Sequence, residues 1–203
     1  GDTVEVLNGS GSLLEGKISI IQKHEVQIEI SKILKEEKEN TNQLSIAICL
    51  TKNPARLEWF IEKATEIGIS NIYPMVSERT EKEKIKQERL QQIVISAAKQ
   101  SGQLFFPILH SIQKFSELIN STNNQYNQYF IAHCENQKQH LKNLYQKKES
   151  ALLLIGPEGD FTPTEIQQAI NKNYTPISLG NSILRVETAG VVACSIVSII
   201  NAE

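Results

Sequence analysis

Residues 152–166, LLLIGPEGDFTPTEI, constrain the fold of this chain more than any other stretch. The run from Leu152 to Ile155 is too apolar for a half-exposed strand, and it passes directly into Gly156-Pro157-Glu158-Gly159. Thr162-Pro163-Thr164-Glu165 then supplies an N-cap, a proline at the first helical position and the glutamate of a capping box. Buried strand, glycine loop and helix start follow one another without a break. That succession belongs to parallel α/β sheets, whose ligands gather at the carboxyl ends of the strands, and glycine lets a ligand come close to the backbone. An ordinary βα turn with a positive φ leaves the same pattern, so the loop alone keeps both readings open.

The rest of the chain divides in two. Asp2–Leu7 alternates, Asn8-Gly9-Ser10-Gly11 has turn chemistry, and Leu13–Ile21 resumes an extended pattern, which together predict a hairpin. Val26, Ile28 and Ile30 add a third strand with one apolar face. From Lys32 to Gln43 the composition turns to Lys, Glu and Asn, which predicts a linker and a boundary near residue 40. Beyond it, short apolar runs alternate with helical periods. Strands are expected at Leu44–Leu50, Asn71–Val76, Pro107–Ser111, Tyr129–Ala132, Leu152–Ile155 and Pro176–Leu179. Helices are expected from Pro54 to Gly68, from Ile85 to Gln100, around Phe115–Ile119, over Gln137–Lys147, after Thr162, and from Glu187 to Ile200. This alternation predicts an α/β domain with a mostly parallel sheet.

Composition removes several function classes. With 21 Lys and Arg against 23 Asp and Glu, the net charge of -2 offers no global positive field, so any nucleic-acid contact must use a local patch. No apolar run approaches the roughly 20 residues of a membrane span, and neither a span nor a signal peptide is expected. Cys49, Cys134 and Cys194 are spaced for neither a disulfide framework nor zinc, which suits a reducing cytoplasm. No GxGxxG, GxxxxGK[ST] or GxSxG is present. His133, Cys134 and His140 lack metal-site spacing, so no metal is expected and His133 reads as a pocket-edge or exposed residue.

A second segment, ISLGNSILRVETAGVVACSIV at 177–197, ends a strand at Leu179-Gly180 and places Arg185 and Glu187 where an apolar helix begins. A guanidinium beside a glycine turn suits phosphate or carboxylate recognition, whereas Glu187 suits the helix dipole whatever the function.

Together GPEGDF and LGNSILRVETA resemble the C-terminal signature of the SPOUT superfamily, specifically the RsmE family of 16S rRNA uridine-N3 methyltransferases. The similarity extends upstream through Glu58, Lys63, Glu66, Gly68, Ile72, Pro74, Ser77 and Arg79, and residues 1–31 resemble the later part of that family's small N-terminal barrel. The resemblance implies a partial PUA-like β-barrel at 1–40, with residues expected before Gly1, and a SPOUT methyltransferase domain at 41–203 with a C-terminal trefoil knot. It implies an obligate homodimer, S-adenosylmethionine as cofactor, and 16S rRNA of the small ribosomal subunit as partner.

Carried over by position, the cofactor would be lined by His133, Ile155, Gly156, Glu158, Gly159, Leu179, Gly180, Ile183 and Leu184, with Cys134 beside His133. Arg185 and Glu187 would be catalytic, Arg185 stabilising charge on the uracil or positioning phosphate, and Glu187 orienting that arginine or acting as base. Arg79, Lys99 and Gln100 would face RNA or an interface. Lys99, Gln103 and Ser182 depart from the family pattern, the last two standing where arginines are common; Gln100 and Gly102 match. Other readings of the same residues are a related knotted methyltransferase acting on tRNA or another rRNA base, a non-catalytic RNA-binding dimer, and a small-molecule α/β binding protein.

Overall fold

The computed structural model describes residues 1–41, 43–134 and 138–202. Strands β1 (Thr3–Leu7), β2 (Ser12–Ile21) and β3 (Val26–Glu36) form an antiparallel sheet in that order. The expected turn closes the first hairpin. Asn8 Oδ1 accepts hydrogen bonds from the Ser10 and Ser12 amides, each at 2.9 Å, and Gly9 and Gly11 take φ values of +73° and +111°. Lys32 does not open the linker that its composition suggested. Strand β3 continues to Glu36, pairing Ile33 with Leu14 and Glu36 with Ser12. Among the described residues no strand pairs with its far side, so Lys32, Lys35 and Glu36 stay hydrated while their backbone joins the ladder. The hairpin turn also ties this sheet to the rest of the molecule, through Gly11 N to Leu104 O at 2.9 Å and Phe106 N to Gly9 O at 3.0 Å.

The remaining elements are β4 (Leu44–Cys49), α1 (Pro54–Ile67), β5 (Asn71–Val76), α2 (Gln87–Ser101), β6 (Ile108–Leu109), β7 (Gln113–Lys114), α3 (Phe115–Ser121), β8 (Gln128–Ala132), α4 (Leu141–Leu144), β9 (Ala151–Ile155), α5 (Pro163–Asn171), β10 (Thr175–Ile177) and α6 (Val186–Ala202). Every pairing in their sheet is parallel, in the order β10-β8-β9-β4-β5-β6, with β7 also on β5. The chain is thus α/β with a mostly parallel central sheet. Helix α1 has the predicted punctuation: Asn53 accepts from Ala55 N, Pro54 opens the helix, and Gly68 closes it at φ 98°. Three elements are shorter than their patterns suggest. The extended piece at 107–111 pairs only at Ile108–Leu109, and the last strand ends at Ile177 because Ser178 N turns to Gln139 O at 2.9 Å. The helix expected over Gln137–Lys147 is only α4, with Gln137 outside the described residues. Its chain leaves helical geometry where Gln146 N bonds Gln128 Oε1 at 2.7 Å.

Every residue of β4 and β9 is buried, and alternation along β4 sorts the core. Ile46 and Ile48 pack with Phe60, Val94 and Val197 from α1, α2 and α6, while Ala47 and Cys49 pack with Leu118, Phe161 and Ala169 around α3 and α5. Helices therefore cover both faces. Gly190 lets α6 approach α1 closely, since a Cβ there would run into the Phe60 ring.

Candidate functional site

The carboxyl ends of β8, β9 and β10 and the start of α6 enclose a cleft of about 800 Å³, within the range of small-molecule sites. Its floor is Ala132, Ile155 and Ile177, the last or nearly last residues of three neighbouring strands. Each wall is one loop.

The first wall runs from Gly156 to Asp160. Phe161 is 1 % exposed and packs so tightly on the loop that a Cβ at Gly156 would sit 3.0 Å from its ring and 3.2 Å from its backbone nitrogen. Asp160 holds the loop from inside: Oδ2 accepts from Cys134 N at 2.7 Å and Oδ1 from Phe161 N at 2.8 Å. Glu158 Oε1 accepts from Lys52 N at 3.0 Å, and the Arg79 guanidinium donates to Gly159 O at 2.8 Å. Behind the loop, the Thr162–Glu165 capping box forms as predicted, and buried Glu165 also accepts from Glu78 N at 2.9 Å. These bonds reach the residues just after β8, the β4–α1 loop and the β5–α2 loop, so the wall is fixed from three sides.

The second wall runs from Ser178 to Arg185. The Ser178 hydroxyl donates to Gly180 O at 2.8 Å, and Gly180 has φ 142°, a conformation that favours glycine. Asn181, Ser182, Ile183 and Arg185 are exposed, Ile183 by 86 %. Across the cleft Lys138 Nζ stands 3.2 Å from His133 Nδ1.

The structure brings the sequence-derived cofactor residues together: His133, Ile155, Gly156, Glu158, Leu179, Gly180, Ile183 and Leu184 all line the cleft, with Arg185 at its edge. Gly159 is not in the lining; its carbonyl is used by Arg79, which therefore buttresses the loop. Lys99 and Gln100 are exposed on α2 and line no part of the cleft. Glu187 is 8 % exposed and faces α1, where its Oε1 lies 3.8 Å from Arg56 Nε; that ion pair goes to Arg56, and none joins it to Arg185 among the described residues. Its Oε2 is buried without a hydrogen-bond partner among the described residues. Arg56 also stands 3.8 Å from Glu158 Oε1, so one guanidinium bridges both motifs.

Sequence reasoning gave no role to Asp160 or Lys138. Only Asp160 carried a local signal, an Asp after glycine in a tight turn, where it adopts φ 62°. The thiols are not poised for chemistry. Burial pushes Cys49 and Cys194 up to about 12, and partial desolvation, then the Asp160 carboxylate, raises Cys134. The described residues hold no His/Cys/Asp/Glu group suited to a metal ion and no helix long and apolar enough to cross a membrane.

Residues 37–198 match the RNA methyltransferase domain family. Ribosomal RNA small subunit methyltransferase E of Aquifex aeolicus is 33 % identical over 202 residues, covering 94 % of this chain and 83 % of that protein. A probable rRNA-methyltransferase from Porphyromonas gingivalis superposes with a TM-score of 0.90 at 34 % identity, covering 100 % of this chain and 86 % of that one. The ribosomal RNA small subunit methyltransferase E of Neisseria gonorrhoeae, solved with S-adenosyl methionine bound, superposes with a TM-score of 0.79 at 26 % identity, covering 96 % and 81 %.

Proposed function

The chain belongs to the RNA methyltransferase domain family, among the small-subunit rRNA methyltransferases E, and we propose that it transfers a methyl group from S-adenosylmethionine to N3 of a uridine in small-subunit rRNA. The observation that carries this reading is the two-walled cleft at the strand ends, built from the two motifs that define the resemblance.

The residues present fit such a cofactor. Ile155, Leu179 and Leu184 offer apolar surface for a nucleobase, and the glycine-bearing loops present backbone donors and acceptors without side chains in the way. Lys138, beside His133, is a cation suited to a ligand carboxylate, and Glu158 is a carboxylate suited to positive charge; both line the cleft. When bound, the cofactor supplies an electrophilic methyl on a sulfonium.

The chain's own task is to hold the uracil nitrogen in line and to favour loss of its proton. Arg185, exposed at the cleft edge, stabilises the negative charge that develops on the uracil. Glu187 and Glu158, joined through Arg56, fix the start of α6 relative to the first wall. Leu179 to Leu184 close over the ligand. Gly159, Arg79, Lys99 and Gln100 act outside the cofactor cleft, Arg79 and Gly159 through the bond that braces the loop, Lys99 and Gln100 toward RNA.

The same reading includes a trefoil knot in the last strands and helix, a partial PUA-like barrel at residues 1–40, a homodimer and a cytoplasmic location. The dimer is supported by Trp59 of α1 and Ile199 of α6, apolar side chains 43 % and 62 % exposed. The test is methylation of small-subunit rRNA, with nucleosides identified by mass spectrometry. N3-methyluridine is expected from wild type, and Arg185→Ala should retain cofactor binding while losing about 100-fold in kcat/KM. A different methylated nucleoside would overturn the N3 assignment.

A further inference from the structure

A second cleft lies beside the first, separated from it by the Thr51–Lys52 turn: Thr51 lines it, while the Lys52 amide holds Glu158 of the cofactor cleft. It measures about 420 Å³. Leu50, Pro54, Leu57 and Leu90 make an apolar floor between α1 and α2.

Its rim comes from the stretch Glu81-Lys82-Glu83-Lys84-Ile85-Lys86, in which charge alternates along the sequence but not in space. Lys82, Lys84 and Lys86 line the cleft; Glu81 and Glu83 do not. Glu81 is turned to Lys52, with 2.6 Å between Nζ and Oε1. The one carboxylate in the lining, Glu58, accepts from Nε and Nη2 of Arg89, at 2.6 and 2.8 Å. Lys82, Lys84 and Lys86 form no ion pair among the described residues. Helix α2 opens at the same place with no side chain hydrogen-bonded to its first amides, and Glu88 of its first turn is not in the lining. An apolar floor under an unneutralised lysine rim, in a chain with net charge -2, is complementary to a nucleotide: base on the floor, phosphates on the rim.

We infer that this cleft seats a nucleotide flanking the methylated one, its phosphates held by Lys82, Lys84 and Lys86. The inference rests on the methyltransferase reading and adds to it a substrate subsite beside the cofactor cleft.

The test replaces all three lysines by glutamine, beside a control in which Lys142, Lys147 and Lys172 are replaced to remove the same charge elsewhere. Cofactor affinity is measured by calorimetry, and affinity for small-subunit rRNA by filter binding across a salt series. The rim variant should bind S-adenosylmethionine as wild type does, lose about tenfold or more in RNA affinity, and show a log–log salt slope shallower by about two, at roughly 0.7 per phosphate contact. The control should match wild type. Unchanged RNA affinity and slope in the rim variant, or equal loss in the control, overturns the subsite while normal cofactor binding leaves the methyltransferase reading standing. Failure of wild type to bind S-adenosylmethionine overturns both.

Discussion

The two loops that wall the cofactor cleft do the same job with opposite construction. Gly156 to Asp160 is tied to three other parts of the chain and backed by a buried ring, so its backbone is set before any ligand arrives. Gly180 to Ile183 is held chiefly by the Ser178 hydroxyl and exposes Asn181, Ser182 and Ile183 to water. A preorganised wall contributes affinity because little order remains to be imposed, whereas an exposed wall can admit ligand and then close. Low local stability in such a segment is a functional asset.

The contrast can be broken from the rigid side. Gly156→Val forces the Phe161 ring from its place and should lower S-adenosylmethionine affinity more than 100-fold, with about 1–3 kcal/mol lost in thermal unfolding. Asp160→Ala removes a charged acceptor from two amides and should cost about 1.5–3 kcal/mol of loop order, read as a ten- to 100-fold loss of cofactor affinity in calorimetry. Cys134 sharpens the same point. Its thiol is raised by partial desolvation and then by Asp160, so alkylation by iodoacetamide should gain speed at higher pH than for a cysteine free of these neighbours. Asp160→Asn removes the charge and should shift that profile to lower pH. On the open side, Ile183→Ser should leave unfolding within about 0.5 kcal/mol of wild type and weaken cofactor binding less than tenfold. Equal effects at Gly156 and Ile183 would erase the distinction.

What was legible in the sequence follows the same division. The strand, loop and helix across residues 151–171 announced themselves because every signal is local: an apolar run, glycines, and a capping box with proline. The second motif announced its composition but not its openness. Strand β3 was cut short by composition, because an edge strand tolerates lysines and glutamates that a central strand would not. The link from Glu187 to Arg56 joins residues far apart in the chain, and nothing near Arg56 signals it. Placing Glu187 beside Arg185 followed sequence adjacency, but the two side chains leave the chain in different directions at the start of α6, Glu187 into the α1 contact and Arg185 outward. Lys99 and Gln100 came from the family pattern alone, and their exposed positions on α2 lie outside the cofactor cleft.

The central claim is that the cleft between these loops binds the methyl donor. Titrating S-adenosylmethionine into wild type and into Gly156→Val by calorimetry tests it most directly. Saturable binding to wild type that disappears in the variant, with the variant still folded by circular dichroism, is the predicted result. No binding to wild type, or undiminished binding to Gly156→Val, would contradict the account.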